Sequence, residues 1–147
     1  MKKIFIIVFA FLALTKPVLA NVTESLELNG FKVASENVQF LAKVKITKVE
    51  AFQEDDNSEK HVYYADVLST YKGKPIKSLN YDMYVEAGED VIFNSEPVYI
   101  ALCVDESGNF YWPGTGSEFK SSLAIESWLA EHKKEVATIS DSIGWCK

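Results

Sequence analysis

The sequence predicts a mainly β fold: five antiparallel strands curling into a barrel, followed by one C-terminal amphipathic helix. Three observations carry this expectation. Five segments between residues 38 and 112 read as strands, the first and third by an alternation of apolar and polar residues that is the period of a half-buried strand. Those segments are joined mostly by short polar turns. From Leu123 the apolar period lengthens to that of a helix. The 147 residues are 48% apolar and 24% charged, which suits one domain and excludes collagen-like, coiled-coil and disordered chains. Aromatics at 13% point to an aromatic-rich core.

Residues 1–20 read as a secretory signal peptide, with Lys2 and Lys3 as the positive end, residues 4–14 as the apolar stretch and Val18-Leu19-Ala20 as the cleavage site. Cleavage there starts the mature chain at Asn21, leaves residues 21–147 as the domain and places it in the periplasm or outside the cell. About a dozen apolar residues fall short of the roughly 20 that span a bilayer. No lipobox Cys follows them, so no membrane insertion is expected after cleavage.

Residues 21–37 have mixed character; Leu26, Leu28, Phe31 and Val33 are spaced as a possible short strand, and the segment stays unassigned. Phe40, Ala42, Val44 and Ile46 then alternate with Leu41, Lys43, Lys45 and Thr47. The apolar phase slips by one residue to Val49 and Ala51, which predicts a β-bulge and a strongly bent first strand. The second strand covers residues 61–71, with Tyr63, Ala65, Val67 and Tyr71 on one phase, and ends at the turn Lys72-Gly73-Lys74-Pro75. Leu79, Tyr81, Met83 and Val85 mark the third strand; Val98, Ile100, Leu102 and Val104 mark the fourth; Phe110-Tyr111-Trp112 returns as the fifth after the turn at residues 105–109. Ile125, Trp128, Leu129, His132, Val136 and Ile139 form the helical stripe, with Ser121 or Ser122 as N-cap and Trp128 and Leu129 expected to pack on the barrel.

Cys103 and Cys146 are an even number in a chain read as exported, so one disulfide is expected. Cys103 shares its phase with Tyr99 and Ala101, so the bond should pin the C-terminal tail over that second face of the fourth strand. The absence of a CxxC pair argues against a zinc knuckle or a thioredoxin-like site. Every basic residue is Lys, and loss of Lys2, Lys3 and Lys16 with the signal takes the formal charge from −6 to −9. Such a surface repels phosphate, which makes nucleic acid and anionic membranes poor partners; the charge either steers a basic partner or only keeps an exported chain soluble.

The strand AKVKITKVEAF, the segment YYADVLSTYKGKP, the short EAGED before PVYIALCV and the hairpin into NFYW resemble netrin-like modules typified by tissue inhibitors of metalloproteinases. The resemblance spans residues 38–112 and implies a five-stranded OB-like barrel with a binding or inhibitory role. Inhibitors of that family chelate zinc through an N-terminal Cys; Asn21 would stand there instead, and no Cys precedes Cys103, so that mechanism does not transfer.

Candidate chemistry is sparse. His61 and His132 are the available imidazole bases, no GxSxG elbow occurs, and a structural role is favoured for each, so a small periplasmic hydrolase using His61 or His132 is the alternative reading. The acidic run at residues 54–59 lacks the alternating order that wraps calcium, and the loop Trp112-Pro113-Gly114-Thr115-Gly116 lacks the Lys of a phosphate loop. No metal or other cofactor is expected. The most informative candidate is aromatic: with Ala65, Val67, Leu79, Tyr81 and Met83 pointing inward, Tyr64, Asp66, Asp82 and Tyr84 share the outer face of the second and third strands. Either that face binds a cationic or carbohydrate-bearing partner, or the C-terminal helix covers it. The favoured reading is an exported, non-enzymatic binding protein, of inhibitor or immunity type, that recognises a protein or cell-envelope component.

Overall fold

The computed structural model describes residues 17–138 and 144–146, with side chains from Ser25 onward. The charged start and apolar stretch of the expected signal therefore lie outside the described residues. The elements run α1 (Pro17–Asn37), β1 (Phe40–Gln53), β2 (Ser58–Lys72), β3 (Ser78–Glu86), β4 (Val98–Val104), β5 (Phe110–Tyr111), β6 (Glu118–Lys120) and α2 (Leu123–Thr138).

Five strands pair in a ring. β1 lies between β2 and β4, β2 pairs on to β3, and β5 links β3 to β4. All of these pairings are antiparallel except β3 with β5, where Tyr81 faces Phe110 and Asp82 faces Tyr111 in parallel register. The expectation of a wholly antiparallel arrangement is corrected at this seam, for a reason of parity. Strands that alternate in direction cannot do so all the way round a ring of five, so one neighbouring pair must run the same way.

The phase slip in the first strand is a register irregularity at residues 46–48, where Ile46 faces Ala65 and Lys48 faces Tyr64. Before it, Phe40, Ala42, Val44 and Ile46 point into the ring; after it, Val49 does. The resulting bend lets one long strand pair with β4 through residues 40–44 and with β2 along its whole length. At the far end of β2, Gly73 takes a positive φ of 87°, and an added Cβ would sit 2.9 Å from Phe40 Cδ2 and 3.0 Å from the Gln39 carbonyl oxygen. No other residue fits that turn without displacing β1.

Two cores result. Inside the ring lie Phe40, Val44, Ile46, Tyr63, Tyr81, Ile100 and Leu102. Outside β1 and β4 lie Leu41, Tyr99, Ala101 and Phe119, covered by Phe31 and Ala34 of α1 and by Ile125, Leu129 and Val136 of α2. β4 is consequently buried on both faces. The disulfide holds as expected: the Cys103 and Cys146 Cα atoms are 5.3 Å apart, and Trp145 and Cys146 pack against this second core. Ser122 is the N-cap, its hydroxyl accepting from the Ile125 N–H at 3.3 Å.

The unassigned residues 21–37 belong to α1, which crosses the predicted cleavage bond at residues 20–21. The i,i+2 spacing of Leu26 with Leu28 and of Phe31 with Val33 suggested a strand, yet Leu26 and Val33 are exposed while Phe31 and Ala34 are buried. The operative period is helical, through Leu28, Phe31, Ala34 and Ser35. Phe31 meets Tyr99, Phe119 and Trp128 edge-on at 5.2 to 5.9 Å, so Trp128 packs on α1 where the ring itself was expected. The buried Lys72 ammonium donates to the Ser35 carbonyl at 3.2 Å, placing positive charge at the C-terminal end of α1.

Candidate functional site

The four residues singled out from the sequence stand on two hydrogen-bonded strands. Tyr64 faces Asn80, Asp66 faces Ser78, Val62 faces Asp82 and Lys60 faces Tyr84. Tyr63, Ala65, Leu79 and Tyr81 fill the ring between them, so alternation turns the four outward. α2 contacts β2, where Tyr71 joins the core beneath the helix, but neither Tyr64 nor Tyr84 belongs to that core. Tyr84 is 65% exposed and Asp66 is exposed, while Tyr64 and Asp82 are half-buried among neighbouring side chains.

They do not form one cluster. Asp66 is six residues along β2 from the partner of Tyr84, roughly 20 Å at the usual strand rise. Tyr64 belongs with β1: the Lys48 ammonium lies 5.3 Å from its ring centroid and 2.6 Å from Glu50 Oε1. The Lys48 ammonium and then the Tyr64 hydroxyl hold the Glu50 carboxyl below the usual carboxylate range, and the same carboxylate raises the Tyr64 phenol. Asp82 belongs with Lys60, whose ammonium is 4.0 Å from Asp82 Oδ2 and 3.5 Å from Glu54 Oε1. The outer face is thus a strip of paired charges and tyrosines with Tyr84 at its open end.

Tyr84 also lines a cleft of about 520 Å³ with Met83, Glu86, Glu89, Trp112 and Thr115. Sequence reasoning assigned Trp112 to the fifth strand and the residues after it to a turn, and so missed this arrangement. The Trp112 N–H donates to the Asp82 carbonyl at 2.8 Å, which brings the indole beside β3. There it stacks on Tyr81 at 6.2 Å and 18°, and Tyr81 stacks in turn on Tyr63 at 5.0 Å and 9°. A signal was present: Trp112 sits one residue beyond a two-residue strand, where a large aromatic must cover the end of the ring.

The connection at residues 87–97 is tied down at several points. The Ala87 N–H donates to the Asn57 carbonyl at 3.0 Å, the Gly88 N–H to Glu59 Oε1 at 3.0 Å, and the Ile92 backbone to the Tyr63 hydroxyl. Beneath it, burial raises the Glu118 carboxyl above its ordinary pKa, partly offset by a hydrogen bond from Asn94. Val91, Ile92 and Phe93 are nevertheless exposed, three consecutive apolar side chains held out by an anchored loop.

The two histidines are structural in placement. His132 lies on α2, its Nδ1 2.9 Å from the Trp128 carbonyl and its ring stacked on Trp128 at 4.9 Å. His61 is 1% exposed, with Nε2 3.4 Å from Glu59 Oε2. This is the buried His-acid pair a hydrolase would need, and strand alternation places residues 59 and 61 on one face. Among the described residues no hydroxyl or thiol bonds to His61, and its enclosure keeps substrate from the imidazole. Set against family models, characterised proteins and solved structures, the chain matches none.

Proposed function

We propose that this chain is an exported, non-enzymatic binding protein built on an OB-like, netrin-like barrel. It acts as an inhibitor or immunity-type protein whose contact surface is the outer face of β2 and β3. The carrying observation is that α2, which packs on α1 and on β2, leaves Tyr84 of β3 exposed at the end of a strip holding Asp82, Tyr64 and Asp66. Exposed tyrosine supplies rigid contact area at small entropic cost, and carboxylates beside it favour a positively charged protein or envelope component. Nucleic acid remains the disfavoured partner on charge. The signal peptide, cleavage before Asn21 and a periplasmic or secreted location belong to the same proposal.

The test has two arms. N-terminal sequencing of the protein from the periplasmic or secreted fraction should begin at Asn21. Immobilised protein should retain a partner from an envelope extract, and the pair Tyr84→Ala with Asp82→Ala should weaken that interaction at least about tenfold, the loss of one modest hot spot. Unchanged affinity in a folded double variant removes this face. A hydrolytic activity abolished by His61→Ala, with the fold intact, would establish the enzyme reading in its place.

A further inference from the structure

β3 is paired along its whole length on one side and only briefly on the other. β2 pairs with all of Ser78–Glu86, whereas β5 meets β3 at Tyr81 and Asp82 and stops there. The Trp112 N–H donates to the Asp82 carbonyl at 2.8 Å, Pro113 follows with no N–H to offer, and the chain leaves β3 through Gly114, whose φ is 139°. It next joins a sheet as β6, on the edge of β4.

The bonds at either end fix which way the backbone of β3 points. The Ala87 N–H donates to the Asn57 carbonyl at 3.0 Å, so residues 83 and 85 also turn their amides to β2, and residues 82, 84 and 86 turn theirs to the other edge. There the Asp82 carbonyl is taken by Trp112 and the Glu86 carbonyl by the Glu89 N–H at 3.2 Å. Among the described residues, no backbone partner meets the N–H or the carbonyl of Tyr84 between them.

The cleft of about 520 Å³ lies along this open edge. Four consecutive strand residues, Met83, Tyr84, Val85 and Glu86, line it together with Trp112 and Thr115 of the departing chain. Successive side chains of a strand point to opposite faces, so a cavity touched by all four follows the edge and not either face. Met83 and Trp112 pack against the ring core, and Val85 shares their side by alternation; Tyr84 and Glu86 are exposed on the opposite side. Glu86 makes no ion pair among the described residues.

We propose that an extended segment of a protein partner adds to β3 here as an antiparallel strand, with one of its residues exchanging both backbone bonds with Tyr84. Directly opposed residues share a face, so that residue's side chain stands beside Tyr84 and Glu86 and is basic. Its two neighbours turn to the ring side, against Met83 and Trp112, and are apolar. The proposal rests on the binding-protein reading, but it uses the backbone of Tyr84, whereas the strip binds through side chains, Asp66 among them.

The experiment uses the whole mature protein with nitrogen-labelled tyrosine, and the Tyr84 amide, assigned with Tyr84→Phe, is followed by NMR during titration. The probes are blocked pentapeptides: Ser-Val-Lys-Val-Ser, its analogue with glutamate at the centre, and a third in which an ester oxygen replaces the lysine N–H. The lysine peptide should move the Tyr84 amide saturably. The ester analogue should bind at least about fivefold weaker, equivalent to about 1 kcal/mol for one hydrogen bond. The glutamate analogue should bind at least about threefold weaker, and Glu86→Gln should remove that difference. Asp66→Ala should leave peptide binding unchanged.

Equal binding by the ester or the glutamate analogue, or no movement of the Tyr84 amide, overturns the proposal. A Tyr84 amide that moves on raising the protein concentration alone, with a dimer seen by sedimentation, assigns the edge to a second copy of this chain and overturns the foreign strand. The two readings fail separately: a captured partner lost in Asp66→Ala but not displaced by excess lysine peptide keeps the strip and discards the edge.

Discussion

Replacing Tyr81 by Phe should stabilise this protein. Tyr81 is fully buried in the ring, and its hydroxyl has no hydrogen-bond partner among the described residues. Folding strips water from that hydroxyl and returns nothing, a loss of about 1 to 3 kcal/mol for a neutral polar group. The ring itself is well used, stacked between Tyr63 and Trp112, and phenylalanine keeps that stacking. Removing one oxygen leaves a gap too small to offset the gain, so the net change should be about 1 to 2 kcal/mol in favour of the fold. For a domain of this size that raises Tm by roughly 3 to 8 °C. Urea denaturation should show a higher midpoint at an unchanged slope. Tyr63→Phe provides the contrast, because its hydroxyl accepts from the Ile92 backbone; that variant should lose about 1 kcal/mol. A Tyr81→Phe protein destabilised by 1 kcal/mol or more would refute the reasoning and show the hydroxyl to be satisfied.

Removing the disulfide with Cys103→Ala and Cys146→Ala should cost about 4 kcal/mol, from the loop entropy of a cross-link spanning 43 residues, read as the drop in urea midpoint against the oxidised protein. Thiol counting on the exported protein under denaturing, non-reducing conditions should find no free thiol. Glu118 predicts a pH dependence of opposite sense to that of a salt-bridged acid. Its folded pKa stands above the ordinary value of 4.5, so the ionised form disfavours the native state. Its contribution is neutral well below that value, becomes unfavourable as pH rises through 4.5 toward the folded pKa, and stays unfavourable at neutral pH. Glu118→Gln should therefore raise the melting temperature at pH 7, and that advantage should vanish below about pH 4; an advantage independent of pH would refute the assignment.

β1, β2, β3 and α2 were legible because each is half-buried, which writes its period into the chain, whereas β4, buried on both faces, was legible as an unbroken apolar run between turns. The bulge was legible for the same reason, as a change of phase between Ile46 and Val49. α1 was not, since its buried residues Phe31 and Ala34 make sense only against Tyr99 and Phe119 of other elements. β6 has three residues and a single buried apolar side chain, Phe119, too little for any period. The parallel seam is set by ring closure between strands distant in sequence, which no local pattern records. At the site, alternation placed Tyr64, Asp66, Asp82 and Tyr84 on the right face but said nothing of the cross-strand partners that divide them. Trp112 escaped because its place depends on β3, which it pairs with and stacks against, whereas the His61–Glu59 pair was written in the i,i+2 spacing of one strand and went unread.

The parallel seam between β3 and β5 consists of two residue pairs, reinforced by the Trp112 N–H bond to Asp82. A ring closed by so short a zip has a built-in point of first opening, and amides there should exchange with solvent through local breathing while β1 and β2 stay protected. Trp112 donates across the seam and stacks on Tyr81 inside the ring, so this one residue reports on closure from both its amide and its indole. Exchange at the Trp112 amide is thus the gauge of whether the ring is shut, read at its shortest joint.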